Sequence, residues 1–319
     1  MPVETPTQSR PRQDLLGAHY EFDPAERGLM AHEIFPEAPV AKRFGTYGII
    51  PREAFLERVN TKRAPKATTS ESSFSPESDD FALFEYAHKE FVDEVEAENY
   101  EDWFDAEEIA SMRTAGIIAL DYEIDVASLV FDDTAFPADG VTGTSETTPW
   151  DNANGTPLTT IEIAKQAIED NYGVLANALI ITSYGYRKFG LNPEVRGRLT
   201  DTYGREVPAV LPVETIRALT GLEKVIVVRG VYNSAKPGQA PVIAKIWNED
   251  RAMVCRIGNS RDLKEPQLGR TLALKNQNGT AMDSWDIPDP KGRYIRARSH
   301  KRAKRMVTPV GYLIRNTKT

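Results

Sequence analysis

The chain has 319 residues, 40% apolar and 27% charged, with a formal net charge of −8, which gives room for a sizeable core and a prior of about two domains. No apolar run approaches the ~18 residues of a membrane span, which excludes a helical membrane protein, and the acidic balance argues against general coating of nucleic acid. Cys255 is the only cysteine, so an intrachain disulfide is excluded and a reducing compartment is the natural expectation.

The N-terminal stretch MPVETPTQSRPRQDLLG lacks the apolar centre of a secretory signal. Residues 1–46 are Pro-rich and polar without a sustained period, and read as an extended arm or partly disordered tail. Residues 47–84 pass from a basic stretch with Lys62, Arg63 and Lys66 to a Ser/Thr-rich one with Pro76, a long exposed excursion. Phe84, Ala87, Phe91 and Val95 then fall three or four apart, the spacing of a helix. A longer helix is predicted over about 106–131, its apolar line running Ile109, Met112, Gly116/Ile117, Leu120, Ile124, Ala127 and Phe131. At ~1.5 Å per residue it would span roughly 39 Å. Residues 137–157 read as a loop, and Thr159 or Thr160 caps the next helix, with Ile161, Ala164, Ile168 and Tyr172 on one face. The run 179–182 predicts a buried strand. Ser183 caps a short helix that Gly190 ends, and Asn192-Pro193 begins another, with Val195 and Leu199 on one face. Pro212 starts a helix that Gly221 ends, and 225–228 is a buried strand. Segments 242–247 and 252–257 flank Asn248-Glu249-Asp250-Arg251 as a hairpin, and 258–292 is loop-rich. The end, RYIRARSHKRAKRMVTPVGYLIRN, reads as one long strand with Arg296, Arg298, His300, Arg302 and Lys304 on one face.

Little in this pattern carries chemistry. His19, His32, His88 and His300 are dispersed, and HxxxH and HExxH are absent, so neither a metal site nor a cofactor site is expected. Cys255 sits in an apolar strand and reads as an inert thiol; Ser183 lacks the flanking glycines of a nucleophile elbow and any evident His partner. The expectation is a protein that is not an enzyme. Charge is segregated instead. From Glu77 to Glu108 there are 14 acidic residues against the single Lys89, while 293–305 holds seven Lys or Arg plus His300 and no acid. The basic strand is either solvated or internally paired, or it binds another subunit or an anionic surface. Tyr294 is its only aromatic, a poor basis for sequence-specific nucleic-acid binding.

From residue 81 to the end, the order of these pieces resembles the major capsid proteins of tailed bacteriophages, with their Hong Kong 97-type fold. FEYAHKEFVDEVEAENY (84–100), with Tyr86, Val92 and Asn99, is similar to the segment that joins that family's extended loop to its spine helix. ASMRTAGIIALDYEIDVASLVFDDTAF (110–136), with Glu123 before Val126-Ala127-Ser128-Leu129, resembles the spine helix itself. Trp150-Asp151 and Thr156-Pro157 before Ile161 resemble the entry to the axial domain. So does NALIITSYGYRKFGLNPEVRGRL, where Ala176-Asn177 replaces Pro-Asn and Asn192-Pro193 stands for His-Pro. VYNSAKPGQAPVIAKIW and GYLIRN also look familial.

The resemblance implies an α+β capsid fold: an N-terminal arm (1–46), an extended loop (47–84), a peripheral domain (85–150, with the spine helix 106–131, and the C-terminal strands 285–319) and an axial domain (151–284). It implies self-assembly through hexamers and pentamers into an icosahedral head around double-stranded DNA. The alternative is the shell of an encapsulin-type nanocompartment around a cargo enzyme. Expected interface residues are Ile49, Ile50, Phe55, Lys62, Lys66 and Phe74 in the loop, and Arg296, Arg298 and Arg302 on the basic strand. Lys62 and Lys66 occupy the loop that carries a cross-linking lysine in some members. With about 46 residues ahead of the loop, a separate scaffolding protein is the expected partner, besides a portal protein, a decoration protein and non-specific contact with packaged DNA. No membrane contact is expected, and the location is the virion, assembled in the bacterial cytoplasm.

Overall fold

The computed structural model describes residues 10–12, 15, 27–49, 57–65, 68–73, 75, 77–100, 103–203, 210–236, 238–258, 265–275 and 281–319. In chain order its elements begin with β1 (Arg10–Pro11), α1 (Ala31–Ile34), β2 (Glu37–Val40), β3 (Phe44–Ile49), β4 (Glu77–Ala82), β5 (Phe84–Asp93), α2 (Glu94–Tyr100) and α3 (Ala106–Val130). They continue with β6 (Gly143–Ser145), α4 (Pro157–Tyr172), β7 (Ala178–Thr182), α5 (Ser183–Leu191), α6 (Pro193–Tyr203), α7 (Val213–Thr220), β8 (Lys224–Val228), β9 (Val231–Asn233) and β10 (Ile243–Lys245). The last are β11 (Ala252–Cys255), β12 (Gly269–Leu274), β13 (Ala281–Pro288), β14 (Lys291–Arg305), a 3-10 turn (Thr308–Val310) and β15 (Gly311–Arg315).

Strand β14 organises a six-stranded sheet. It pairs antiparallel with β5 on one side and with β13 and β12 on the other, while β1 joins β13 and β2 joins β12. Helix α3 lies against β14 and β5. Its start is fixed by Asp105, whose carboxylate accepts from the Glu107 and Glu108 N–H groups at 2.8 and 3.2 Å, with both glutamates placed favourably in the first turn. A five-stranded sheet, β6-β15-β11-β7-β8, carries α4, α5 and α7, with α6 packed on α4 and α5. Every residue of β7 and β11 is buried. Alternation then divides their side chains: Leu179 and Ile181 pack with Trp150, Ile161 and Phe189, while Ile180 and Met253 join the core that contains Ile118 and Val126 of α3.

Several expectations are corrected. The helix expected from Phe84 is strand β5, and only Glu94–Tyr100 is helical; ten residues of β14 offer backbone partners along β5, and that ladder outweighs the local spacing. In α3 the period holds but the phase differs. Ile117 is exposed, and the buried face runs through Ala110, Thr114, Ile118, Tyr122 and Val126, small side chains at its start allowing close approach to the sheet. The predicted hairpin does not form: β10 pairs with β9, while β11 sits between β7 and β15, because its wholly apolar side chains are wanted in the core. The loop-rich segment contains β12 and β13. The long terminal strand breaks at the turn holding Pro309, which has no N–H to give a ladder, and β15 crosses to the second sheet. Helix α4 starts at Pro157 rather than at a Thr159 or Thr160 cap, and Thr182, not Ser183, caps α5 through its hydroxyl. Within the expected arm, Leu29, Ile34, Phe35, Ala38 and Val40 are core residues. Strand β13 spans residue 284, and β12 lies in the first sheet.

Candidate subunit-interface surfaces

The segment 177–199 holds no reactive group but much of the second layer's polar order. Asn192 is buried. Its amide donates to the carbonyls of Trp150 at 3.1 Å and Gly155 at 3.0 Å, and its oxygen accepts from the Glu194 N–H at 2.9 Å. Glu194 in turn accepts from the Leu158 N–H at 2.8 Å and the Thr159 N–H at 3.3 Å, capping α4 from outside it. Asn-Pro therefore starts one helix and positions the carboxylate that starts another.

Glu123 does comparable work in the first layer. It is fully buried in the middle of α3. One carboxylate oxygen accepts from the Met30 N–H at 3.1 Å and the Trp247 indole at 2.8 Å, the other from the Ala31 N–H at 2.7 Å. Burial raises its pKa, and these three donors oppose the rise. The resemblance singled out Glu123; its partners were not legible, because they are distant in sequence.

Strands β3 and β4 pair from Phe44↔Ala82 to Ile49↔Glu77, forming the base of the excursion. The tail of β14 holds that base. Lys304 reaches the Asp79 carboxylate at 2.7 Å and the Asp80 carbonyl at 2.6 Å, and Arg302 donates to the Ala82 carbonyl at 3.2 Å. The hydrogen bond from Lys304 holds the Asp79 pKa below its ordinary value. Farther along β14, Arg296 and Arg298 both engage Asp283, the latter at 3.3 Å, while Arg293 meets Asp286 at 2.6 Å and also Glu107. The basic strand is thus largely paired inside its own chain, in part with the acidic block through Asp79, Glu94 and Glu107.

On the opposite side of β14, Lys301 points at α3. Its ammonium lies 3.9 Å from the Tyr122 ring centroid and 5.9 Å from that of Tyr86. Burial lowers its pKa to about 8, partly opposed by Glu37. The face of the sheet bearing Arg296 gathers aromatic groups that the strand sequence alone did not reveal: Phe91 and Trp285 flank Tyr294 at centroid distances of 5.1 and 5.4 Å, with Lys89 4.2 Å over the Tyr294 ring.

Of the remaining expected interface residues, Lys62 is exposed in a stretch without helix or strand. Ile49 ends β3, its side chain outside the described residues, as are Ile50, Phe55, Lys66 and Phe74 and, among the histidines, His19. Cys255 is buried, and burial raises its thiol pKa. Among the described residues no cluster of His, Cys, Asp or Glu could hold a metal ion, and no helix is long and apolar enough to cross a membrane.

Searches for relatives agree with this architecture. The chain is 24% identical over 264 residues to the major capsid protein of Pseudomonas phage JBD67, covering 82% of this chain and 81% of that protein. It is 24% identical over 293 residues to the major capsid protein of Burkholderia phage BcepMu, covering 90% of each. Among solved structures, a phage-related protein from Bordetella bronchiseptica superposes with a TM-score of 0.72 at 20% identity, covering 98% of each chain. Phage capsid structures share the architecture, and the fold is the mixed helix-and-sheet Hong Kong 97-type capsid fold that the sequence resembles. No family model matches the chain.

Proposed function

We propose that this chain is the major capsid protein of a tailed phage, assembling through hexamers and pentamers into an icosahedral head around double-stranded DNA. The observation that carries this reading is the likeness, over four fifths or more of the chain, to two proteins named major capsid protein, on a capsid fold. In this reading the six-stranded sheet and α3 form the peripheral domain, and the five-stranded sheet with its helices forms the axial domain around the capsomer axis. The excursion between β3 and β4 is the extended loop, with Ile49, Ile50, Phe55, Lys62, Lys66 and Phe74 contacting a neighbour. Each contact need not be strong, because one subunit makes several at once. A net charge of −8 suits a container whose DNA must move during filling, since a strongly basic lining would hold it. A separate scaffolding protein, a portal protein and a decoration protein are the proposed partners, in a virion assembled in the bacterial cytoplasm.

Electron microscopy of the purified chain, with and without its scaffolding partner, tests this. Closed shells or capsomer rings are expected. A persistent monomer in both preparations would overturn the reading, and DNA-free shells that co-purify with one cargo enzyme would replace it by the nanocompartment alternative.

A further inference from the structure

We propose that the crevice at the carboxyl ends of β7 and β8 binds a small phosphate-bearing anion, a site independent of the shell reading above. The two strands run parallel, and their last paired residues are Thr182 and Val228, so Ser183 and Arg229 leave the sheet side by side. From there the chain departs in two directions. Helix α5 turns toward the core that holds Phe189, whereas Gly230 lies against Ile246, which packs on the other core. Parallel strands whose continuations diverge leave a crevice at their carboxyl ends, the place where open sheets hold ligands. The cavity here encloses about 240 Å³. That is below the ~300–1,000 Å³ of pockets for drug-sized ligands, and suits a compact oxyanion.

Charge and donor type narrow the ligand. Arg187, Arg229 and Lys245 line the cavity against one acid, Glu249. Glu249 is already engaged by Lys245 and, at 2.9 Å, by Lys318, and these hydrogen bonds hold its pKa below the ordinary value. Arg187 and Arg229 have no ion pair among the described residues. A guanidinium does not shed its proton in a protein. Two fixed positive charges therefore face one cavity without a counter-charge from the chain, although the chain as a whole stands at −8. An oxyanion relieves that repulsion, and the planar fork of Arg matches phosphate oxygens two at a time. The donors are also held in place. Ser183 and Arg187 are four apart and share one face of α5. Thr182 supplies the cap of that helix, and the Ser183 hydroxyl has no partner among the described residues. The stem of Arg229 lies over Gly28, where φ is +78° and an added Cβ would sit 2.5 Å from Arg229 Cγ. Glycine there permits both the turn and the seat of the arginine.

Phosphorus NMR of the full chain with inorganic phosphate, and calorimetric titration with pyrophosphate at fixed ionic strength, test the site. Saturable binding of one anion per chain is expected. Arg187→Gln and Arg229→Gln should each weaken it at least about tenfold, and the double change should abolish it. Lys188→Gln, on the same helix but outside the lining, should leave it near the parent value. Neither arginine is bonded to another described part of the chain, so unchanged melting temperatures are expected and separate lost binding from lost folding. No saturable binding, or binding that survives the double change, would overturn the proposal while leaving shell formation, read by electron microscopy, untouched. A short DNA duplex then identifies the source of the phosphate. Displacement of bound phosphate by the duplex would assign the site to the DNA backbone; no displacement would assign it to a free phosphate or pyrophosphate.

Discussion

At Glu123 a buried carboxylate is tolerable because three N–H donors replace its water. Glu123→Gln puts an amide where a donor already points, so a loss of about 2–4 kcal/mol is expected in chemical denaturation, with altered Trp247 fluorescence before global unfolding. Lys301 acts in the opposite sense. Its folded pKa, about 8, lies below the ordinary 10.5. Below pH 8 both folded and unfolded chains hold the proton, and the cost of burying charge is fully present. Between the two values the unfolded chain binds more protons, so stability rises with pH through that window. Lys301→Met is expected to raise the denaturation midpoint at pH 7 and to flatten the rise between pH 8 and 10; an unchanged slope would show that the ammonium is well solvated there.

The β3–β4 hairpin shows how an element can be held by residues far from it. Because Lys304 joins both Asp79 and the Asp80 carbonyl, Lys304→Met is expected to lower amide-exchange protection in 44–49 and 77–82 at least tenfold, a loss of about 1–2 kcal/mol locally, with little change in global melting. The same dependence on distant partners separates what was legible in the sequence from what was not. Helices with good ends and a single buried face were read well: α6 from Asn192-Pro193, and α7 between Pro212 and Gly221. Strand β7 was legible because it is apolar on both faces. Strand β5 was not, since its spacing fits a helix and only β14 decides otherwise. Nor were β12 and β13 found, where buried Arg270, Thr271, Asp283 and Ser284 hide the alternation of a strand. The candidate surfaces were legible as charge blocks, but Asp283, the acid that holds Arg296 and Arg298, lay outside the acidic block.

At the scale of the whole molecule, that last pairing changes how an assembly mutant must be read. Replacing Arg296, Arg298 and Arg302 by Glu sets two new carboxylates beside Asp283, whose side chain is only 5% exposed, and removes the Arg302 bond to the Ala82 carbonyl, so both a lowered melting temperature and failed or misdirected assembly are expected; normal shells would remove these arginines from any interface role. Limited trypsin digestion addresses the loop more gently: cleavage in the unassembled chain should begin at Arg58, Lys62 and Arg63, and assembled particles should resist it. Finally, the order of strands in the second sheet bears on timing. Strand β15, at 311–315, sits between β6 and β11 in that sheet's interior. A ribosome must therefore translate to residue 315 before the sheet can close, and the partly made chain has only open ladders to offer. Strands β6 and β11 thus have no neighbour between them until residues 311–315 have left the ribosome, and completion of the second sheet is a post-translational step for most of the described chain.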